Sequence, residues 1–240
     1  MDEKVKSILA GVKGKPTPEE IDRWEKLRKE DEKRIAEQIK KLSPTVYTNL
    51  SLNDFETQSF DKLDTSRGNV AVVEKFLAAW QPNDKAGFML VGEPGSGKTH
   101  MLKAMCIRLA YQSVPCEFHE VASVMDKIRQ NFDQIEDVFN FFKRPHVLFL
   151  DDLGAERTTE FVQEKFLRLL NDRHQLGKVT CASSNLKLEQ LRKRYDVRII
   201  DRLKGQMIFV EVEAPSYRPQ IIVKIQRELA ERAKHRGKRI

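Results

Sequence analysis

Two rhythms of apolar and polar positions run along this chain. Short, nearly continuous apolar runs stand at Gly87–Val91, Cys116–Val121, His146–Asp151, Val179–Ser184 and Met207–Val212. Runs of this length, bounded by turn residues, read as buried strands. Between them lie longer stretches with helical spacing: Lys98–Gln112, Ser123–Lys143 (one or two helices), Thr159–Leu176 and part of Leu188–Leu203. Gly177 supplies a C-terminal stop for the third of these. Strand–helix alternation predicts an α/β fold, a parallel sheet with helices on both faces. No internal repeat is visible.

The region before residue 87 is patterned differently. Residues 1–16 are mixed and contain Gly11, Gly14 and Pro16. Thr17 and Glu20 have capping-box spacing with Pro18 at the first helical position, so a helix is expected over Glu19–Leu42, ended by Ser43-Pro44. Its apolar residues Ile21, Trp24, Leu27, Ile35, Ile39 and Leu42 are interrupted by the charged run Arg28–Arg34. That face is too thin for a core element and suits either a solvated arm or a docking helix. Residues 45–68 read as a loop-rich connector pinned by Leu50, Leu52, Phe55, Phe60 and Leu63, and residues 70–80 as a helix. The expected division is an N-terminal segment 1–44, a connector 45–85, a core 86–218 and a basic tail 219–240.

Composition narrows the class. The chain has 240 residues, 40% hydrophobic and 33% charged, enough for a packed core and too apolar for wholesale disorder. Its net charge of +7 is uneven, because residues 186–240 hold 15 basic and 7 acidic side chains. A localised basic excess suits a polyanion or is simply a solvated tail. No apolar run is long enough for a transmembrane helix or a secretory signal. Cys106, Cys116 and Cys181 are isolated and lack zinc-ligand spacing. A reducing cytoplasm is the expected location.

Residues 92–99 read GEPGSGKT and match G-x-x-x-x-G-K-[ST] at Gly92, Gly97, Lys98 and Thr99. Glycines let successive amides turn inward around a phosphate, and the following helix aims its positive end at the same group. Gly92, Glu93, Pro94, Gly95, Ser96, Gly97, Lys98, Thr99 and His100 are therefore the nucleotide-binding candidates. Lys98 reaches the β and γ oxygens, and Thr99 offers its hydroxyl to Mg²⁺. An apolar strand before the loop and a helix after it meet the structural context this motif requires.

The run VLFLDDLG ends a strongly apolar strand in Asp151 and Asp152. Asp151 is the expected metal residue, and Asp152 the group that orients or deprotonates an attacking water. The fourth strand ends in Ser183-Ser184-Asn185. In a P-loop sheet of order 5-1-4-3-2 that strand separates the loop from Asp151, so Asn185 would face the same phosphate. Arg202 precedes the fifth strand, Arg218 follows it, and Arg198 is a weaker candidate on the same helix as Arg202. Each arginine suits a phosphate contact or a surface ion pair. Arg192, Lys193 and Arg194, and a second group including Lys224 and Arg227, are DNA-binding candidates or solvated helix faces. His100, His119 and His146 show no ligand spacing.

GEPGSGKTH, VLFLDDLGAER, SSNL, RIIDRL and PSYR, in this order, resemble the DnaC/DnaI-type helicase loaders over roughly residues 50–218. That family consists of AAA+ ATPases related to DnaA and to the transposition ATPase IstB. The resemblance implies a three-layer core with a five-stranded parallel sheet, a reduced or absent C-terminal lid and an N-terminal helical extension. It assigns Asp152, Asn185 and Arg202 as catalytic, with Arg202 acting across an ATP-dependent contact between copies. It makes Arg218 a nucleotide sensor, and ATP and Mg²⁺ the cofactors. A DnaB-like replicative helicase and single-stranded DNA become the partners, with no membrane. Two features depart from the pattern: Asp152 stands where many relatives have Glu, and the cysteines of a zinc-binding helicase module are missing. The competing expectations are an ATPase assisting a transposase and a weakly hydrolysing nucleotide-switch scaffold. A small-molecule kinase would need a lid and extra arginines around an acceptor pocket.

Overall fold

The computed structural model describes residues 47–82, 86–220, 222–223 and 226. The expected N-terminal helix over Glu19–Leu42 lies outside the described residues, as do Lys224, Arg227 and most of the C-terminal tail.

Five short strands form one parallel sheet: β1 (Gly87–Val91), β2 (Cys116–Glu120), β3 (Val147–Asp151), β4 (Val179–Ser184) and β5 (Met207–Glu211). Their spatial order is β2-β3-β4-β1-β5, the predicted order read from the other edge. In register, Val91 stands beside Ser184, and Leu150 beside Ala182. The C-terminal ends of β1, β4 and β3 therefore lie side by side, as expected for the P-loop, Asn185 and Asp151.

Alternate strand residues feed two cores. Phe88, Leu90, Phe149 and Cys181 face one side, where helices α2 (Val70–Ala79) and α3 (Lys98–Tyr111) cover them. Met89, Val91, Leu148, Leu150 and Ala182 face the other. There they meet α4 (Val121–Gln130), α5 (Ile135–Lys143), α6 (Glu160–Gln175) and α8 (Val197–Gln206). Burial on both faces is why the strands read as continuous apolar runs rather than alternating ones.

Several boundaries differ from the expectation. The connector contains a helix, α1 (Leu52–Thr57), because Ser51 and Asp54 form a reciprocal capping box. It also contains a 3₁₀ turn at Phe60–Lys62. Lys103 of α3 reaches Asp54 at 2.7 Å, tying α1 to the core. Leu50, Phe55, Phe60 and Leu63 pack on the first core, as expected. The 123–143 stretch divides at Asn131 into α4 and α5, with a 3₁₀ turn between them. The 188–203 stretch divides at Tyr195-Asp196 into α7 (Leu188–Arg194) and α8. Thr159 caps α6 through its side chain, and Gly177, at φ +65°, ends it.

The connector also covers the open edge of β2. The Cys116 N–H donates to the Tyr47 carbonyl at 2.7 Å, and the Asn49 amide brackets Phe118 with bonds of 2.6 and 2.8 Å. Such cover blunts edge-to-edge association. Cys106 and Cys116, apart in the sequence, lie side by side in the core with sulfurs 3.5 Å apart.

Candidate functional site

The loop between β1 and α3 is built around Lys98. Gly97 takes φ +107° immediately before the helix, a conformation that favours glycine. Lys98 is buried, and its Nζ donates to the carbonyls of Gly92 at 2.7 Å and Glu93 at 2.9 Å and to Ser96 Oγ at 3.4 Å. Burial lowers its proton affinity; Asp151, Asp152 and Glu93 oppose that shift, and Arg218 adds to it. Gly92 and Gly95 must lack side chains, since a Cβ would come 2.4 Å from the Val212 carbonyl and 2.2 Å from Ser216 Oγ. The cradle thus consists of main chain, one ammonium and a helix start, the chemistry that suits a polyphosphate. Thr99 is exposed at its rim. The His100 ring turns the other way, donating to the Ser59 carbonyl at 2.9 Å, and burial lowers its pKa.

Two strand ends complete the acidic side. Asp151 is buried and accepts a short hydrogen bond from the Ser183 hydroxyl. The same hydroxyl accepts the Asp152 N–H at 3.1 Å. Asp152 sits at φ +58°, tolerable for aspartate, and its carboxylate accepts the Asn185 amide at 2.6 Å. One carboxylate is therefore fixed by Ser183 and the next by Asn185. The following loop is anchored deeper: buried Glu156 bonds the Gly154 N–H at 2.9 Å and the Tyr195 hydroxyl. Burial and Glu156 hold the Tyr195 phenol well above its ordinary range.

The arginines separate. Arg218 is exposed, its N–H donates to Ser216 Oγ at 3.3 Å, and its charge is felt by Lys98. Arg202 is exposed on α8, where it lines an open depression with His174, Asp201, Lys204, Gly205 and Gln206. The charges that chiefly shift Lys98 are Asp151, Asp152, Glu93 and Arg218. Arg198 pairs with Asp196 at 2.9 Å. Of the basic triplet on α7, Arg192 and Lys193 are exposed, but Arg194 turns inward and donates to the Glu156 carbonyl.

Ser183, Glu156, Tyr195 and Arg67 take part in this network without belonging to any phosphate-binding motif or carrying a role legible in the sequence, and Arg173 lies away from it. Arg67 is buried and donates from Nη2 to the carbonyls of Gly95 at 3.3 Å and of Pro215. Arg173 is fully buried at the opposite end of the sheet. Only the Ser183-Ser184-Asn185 run carried a readable signal for any of these, as a polar strand end.

A family model described as IstB-like ATP binding protein matches residues 25–224. The replicative helicase loader DnaC of Escherichia coli (strain K12) is 23% identical over 141 residues, 57% of this chain and 58% of the relative. The replicative helicase loader DnaI of Bacillus subtilis (strain 168) is 30% identical over 171 residues, 68% of this chain and 55% of the relative. The chain thus spans little more than half the length of either. A crystal structure of DnaI superposes with a TM-score of 0.58 at 24% identity, covering 71% of this chain and 95% of that one. That likeness is one of fold.

Proposed function

The chain belongs to the family of IstB-like ATP-binding proteins, and on that premise we propose that it is an ATP-hydrolysing helicase loader. The observation that carries the catalytic part is the Asn185 amide at 2.6 Å from the Asp152 carboxylate, beside a complete phosphate loop. In this reading Lys98 and the loop from Gly92 to Thr99 bind the β and γ phosphates. Thr99 and Asp151 would hold Mg²⁺, which would supply charge neutralisation on those phosphates. A hydroxyl and a carboxylate suit this hard cation. Asp152 orients a water and takes its proton, and Asn185 fixes the rotamer from which it does so. Water adds to the γ phosphorus and ADP leaves. Arg218 senses the γ phosphate in cis. Arg202 stabilises its charge from a neighbouring copy, which accords with its exposure on α8. Aspartate in place of the longer glutamate makes turnover slow.

The relatives named as replicative helicase loaders support a DnaB-like helicase as the partner. Residues 1–44 serve as the docking arm in this reading, and Arg192 and Lys193 contact single-stranded DNA through phosphates. The test is affinity capture of the purified chain, with ATP and Mg²⁺, against a DnaB-like helicase and against an IstB-partnered transposase. Retention of the helicase, with turnover that responds to single-stranded DNA and is lost in Asp152→Asn, supports the proposal. Retention of the transposase alone replaces the loader reading with a transposition one. Undiminished turnover in Asp152→Asn rejects the catalytic assignment.

A further inference from the structure

We propose that Arg67 is a positioning residue that buckles the segment carrying Arg218 onto the phosphate loop, so that recognition of the γ phosphate depends on the connector. This rests on the ATP-binding reading above. Arg67 lies outside every phosphate-binding motif, 28 residues before Gly95 and 148 before Pro215 in the chain, yet its Nη2 donates to both carbonyls. It is 7% exposed, its guanidinium stands 5.0 Å from the centre of the Tyr217 ring, and its Nε–H has no acceptor.

The bonded acceptors connect two pieces of chain with different tasks. Gly95 is inside the phosphate loop; Pro215 and Tyr217 lead directly to Arg218. The Tyr217 N–H also donates to the Gly95 carbonyl, at 2.9 Å, so that oxygen receives two donors. A trans, planar peptide then points the Ser96 N–H to the opposite side, where it meets the Glu93 carbonyl at 3.2 Å, inside the loop. The buckle therefore orients a loop amide as well as the Arg218 segment. Ser216 adds a third tie, its hydroxyl accepting the Arg218 N–H and packing where Gly95 has no side chain.

Two residues along, Asn69 extends the same seam. Its N–H donates to the Glu213 carbonyl at 3.0 Å, and its amide bonds the Glu211 carbonyl and the Glu213 N–H, both at 2.8 Å. Asn69 holds the exit of β5, and Arg67 holds the stretch beyond it. A buried guanidinium with one unpaired N–H is costly, and a well-packed apolar side chain would fill the space without that cost. What the apolar side chain could not do is clasp two carbonyls from separate segments at once.

The test uses the full chain. ATP and ADP affinities are measured by calorimetry for wild type, Arg67→Met, Arg218→Ala and the double variant, with Arg67→Lys alongside. If Arg67 acts through Arg218, Arg67→Met weakens ATP binding about tenfold and ADP binding less than about threefold. It then adds less than about twofold in the Arg218→Ala background, and Arg67→Lys, able to reach one carbonyl, recovers part of the loss. Equal losses for ATP and ADP, or full additivity with Arg218→Ala, would overturn the proposal and leave Arg67 a purely structural clip. Hydrogen exchange of the nucleotide-free chain gives a readout that needs no ATP: Arg67→Met should speed exchange of the Tyr217 amide while leaving β1 and β4 protected. Unchanged exchange at Tyr217 also overturns the buckle. Should wild type bind no ATP, the functional reading falls, and the exchange result still decides whether Arg67 holds this segment.

Discussion

Two cations are buried at opposite ends of the same sheet, each bonded to carbonyls and one hydroxyl, and their surroundings differ. Arg173 sits at the N-terminal ends of β3 and β4. Its Nε donates to Thr180 Oγ1 at 3.0 Å. Its Nη atoms donate to the carbonyls of Phe142, Pro145, His146 and Val179, at 2.8, 3.1, 3.4 and 2.5 Å. Its fork is saturated by four carbonyls and the Thr180 hydroxyl, and burial pulls the guanidinium down only to about 10, so it stays charged at neutral pH. Lys98 sits at the C-terminal ends of β1 and β4. Its ammonium is held by three oxygens of a glycine-rich loop, near two carboxylates that are themselves fixed by other residues. One cation closes a structure. The other is held where a more negative ligand can exchange for its present acceptors. Burial alone does not separate a functional charge from a structural one, and neither do the acceptors, carbonyls and one hydroxyl in both cases; the carboxylates beside Lys98 and its place in a glycine-rich loop do.

The largest expected effect breaks the structural end. Arg173→Met would leave the Thr180 hydroxyl and several carbonyls buried without a donor. Replacing a buried ion pair by apolar side chains can be neutral, but here the acceptors are main chain and remain. A loss on the order of 3–5 kcal/mol is expected, read by urea unfolding, with ATP affinity of the folded protein unchanged. Stability equal to wild type would mean that water replaces the guanidinium. At the functional end the signs reverse. Asn185 is exposed, so Asn185→Ala should leave the melting temperature unchanged. It should reduce single-turnover ATP hydrolysis about tenfold to a hundredfold while ATP affinity moves less than about threefold. A matching loss in affinity would place Asn185 in binding rather than in orienting Asp152.

The smallest effect is in pH dependence. Burial lowers the His100 pKa below 6.5, so on acidification the unfolded chain takes up this proton before the folded one. Stability is therefore lost as pH falls from 6.5 toward the folded value. His146, lowered by burial, Lys178 and Arg173, does the same at the other end. His100→Gln should make stability fall less steeply between about pH 7.5 and about pH 5.5, by urea unfolding at each pH, and leave the His146 share. An unchanged slope would assign the whole effect elsewhere.

What could be read from the residues follows from how far apart the interacting groups lie in the chain. Gly92–Thr99 is one contiguous cradle, and Asp151-Asp152 ends one contiguous strand, so their elements and their place in the sheet were visible at once. The strand order came with the P-loop motif, as the order of that class of sheet, and not from the residues themselves. Ser183 was in view as part of a polar strand end, but its hydroxyl bridges Asp151 and the Asp152 amide 32 and 31 residues away. No periodicity encodes that. Arg67 and Arg173 donate mainly to carbonyls, and carbonyls have no residue type to recognise. Arg194 looked like its neighbours Arg192 and Lys193, yet the end of α7 turns it inward onto the Glu156 carbonyl. The helix at Leu52–Thr57 is too short to show a face, so the segment read as loop, and its Ser51–Asp54 cap emerges only in the structure.

The most direct test of the central claim compares wild type with Lys98→Ala for two properties, Mg·ATP binding by calorimetry and stability by urea unfolding. The account predicts that binding falls by at least about a hundredfold while stability stays within about 1 kcal/mol of wild type, because the lysine is a partly desolvated charge kept for a ligand. Unimpaired ATP binding in Lys98→Ala, or a collapse in stability of the size expected for Arg173→Met, would contradict it.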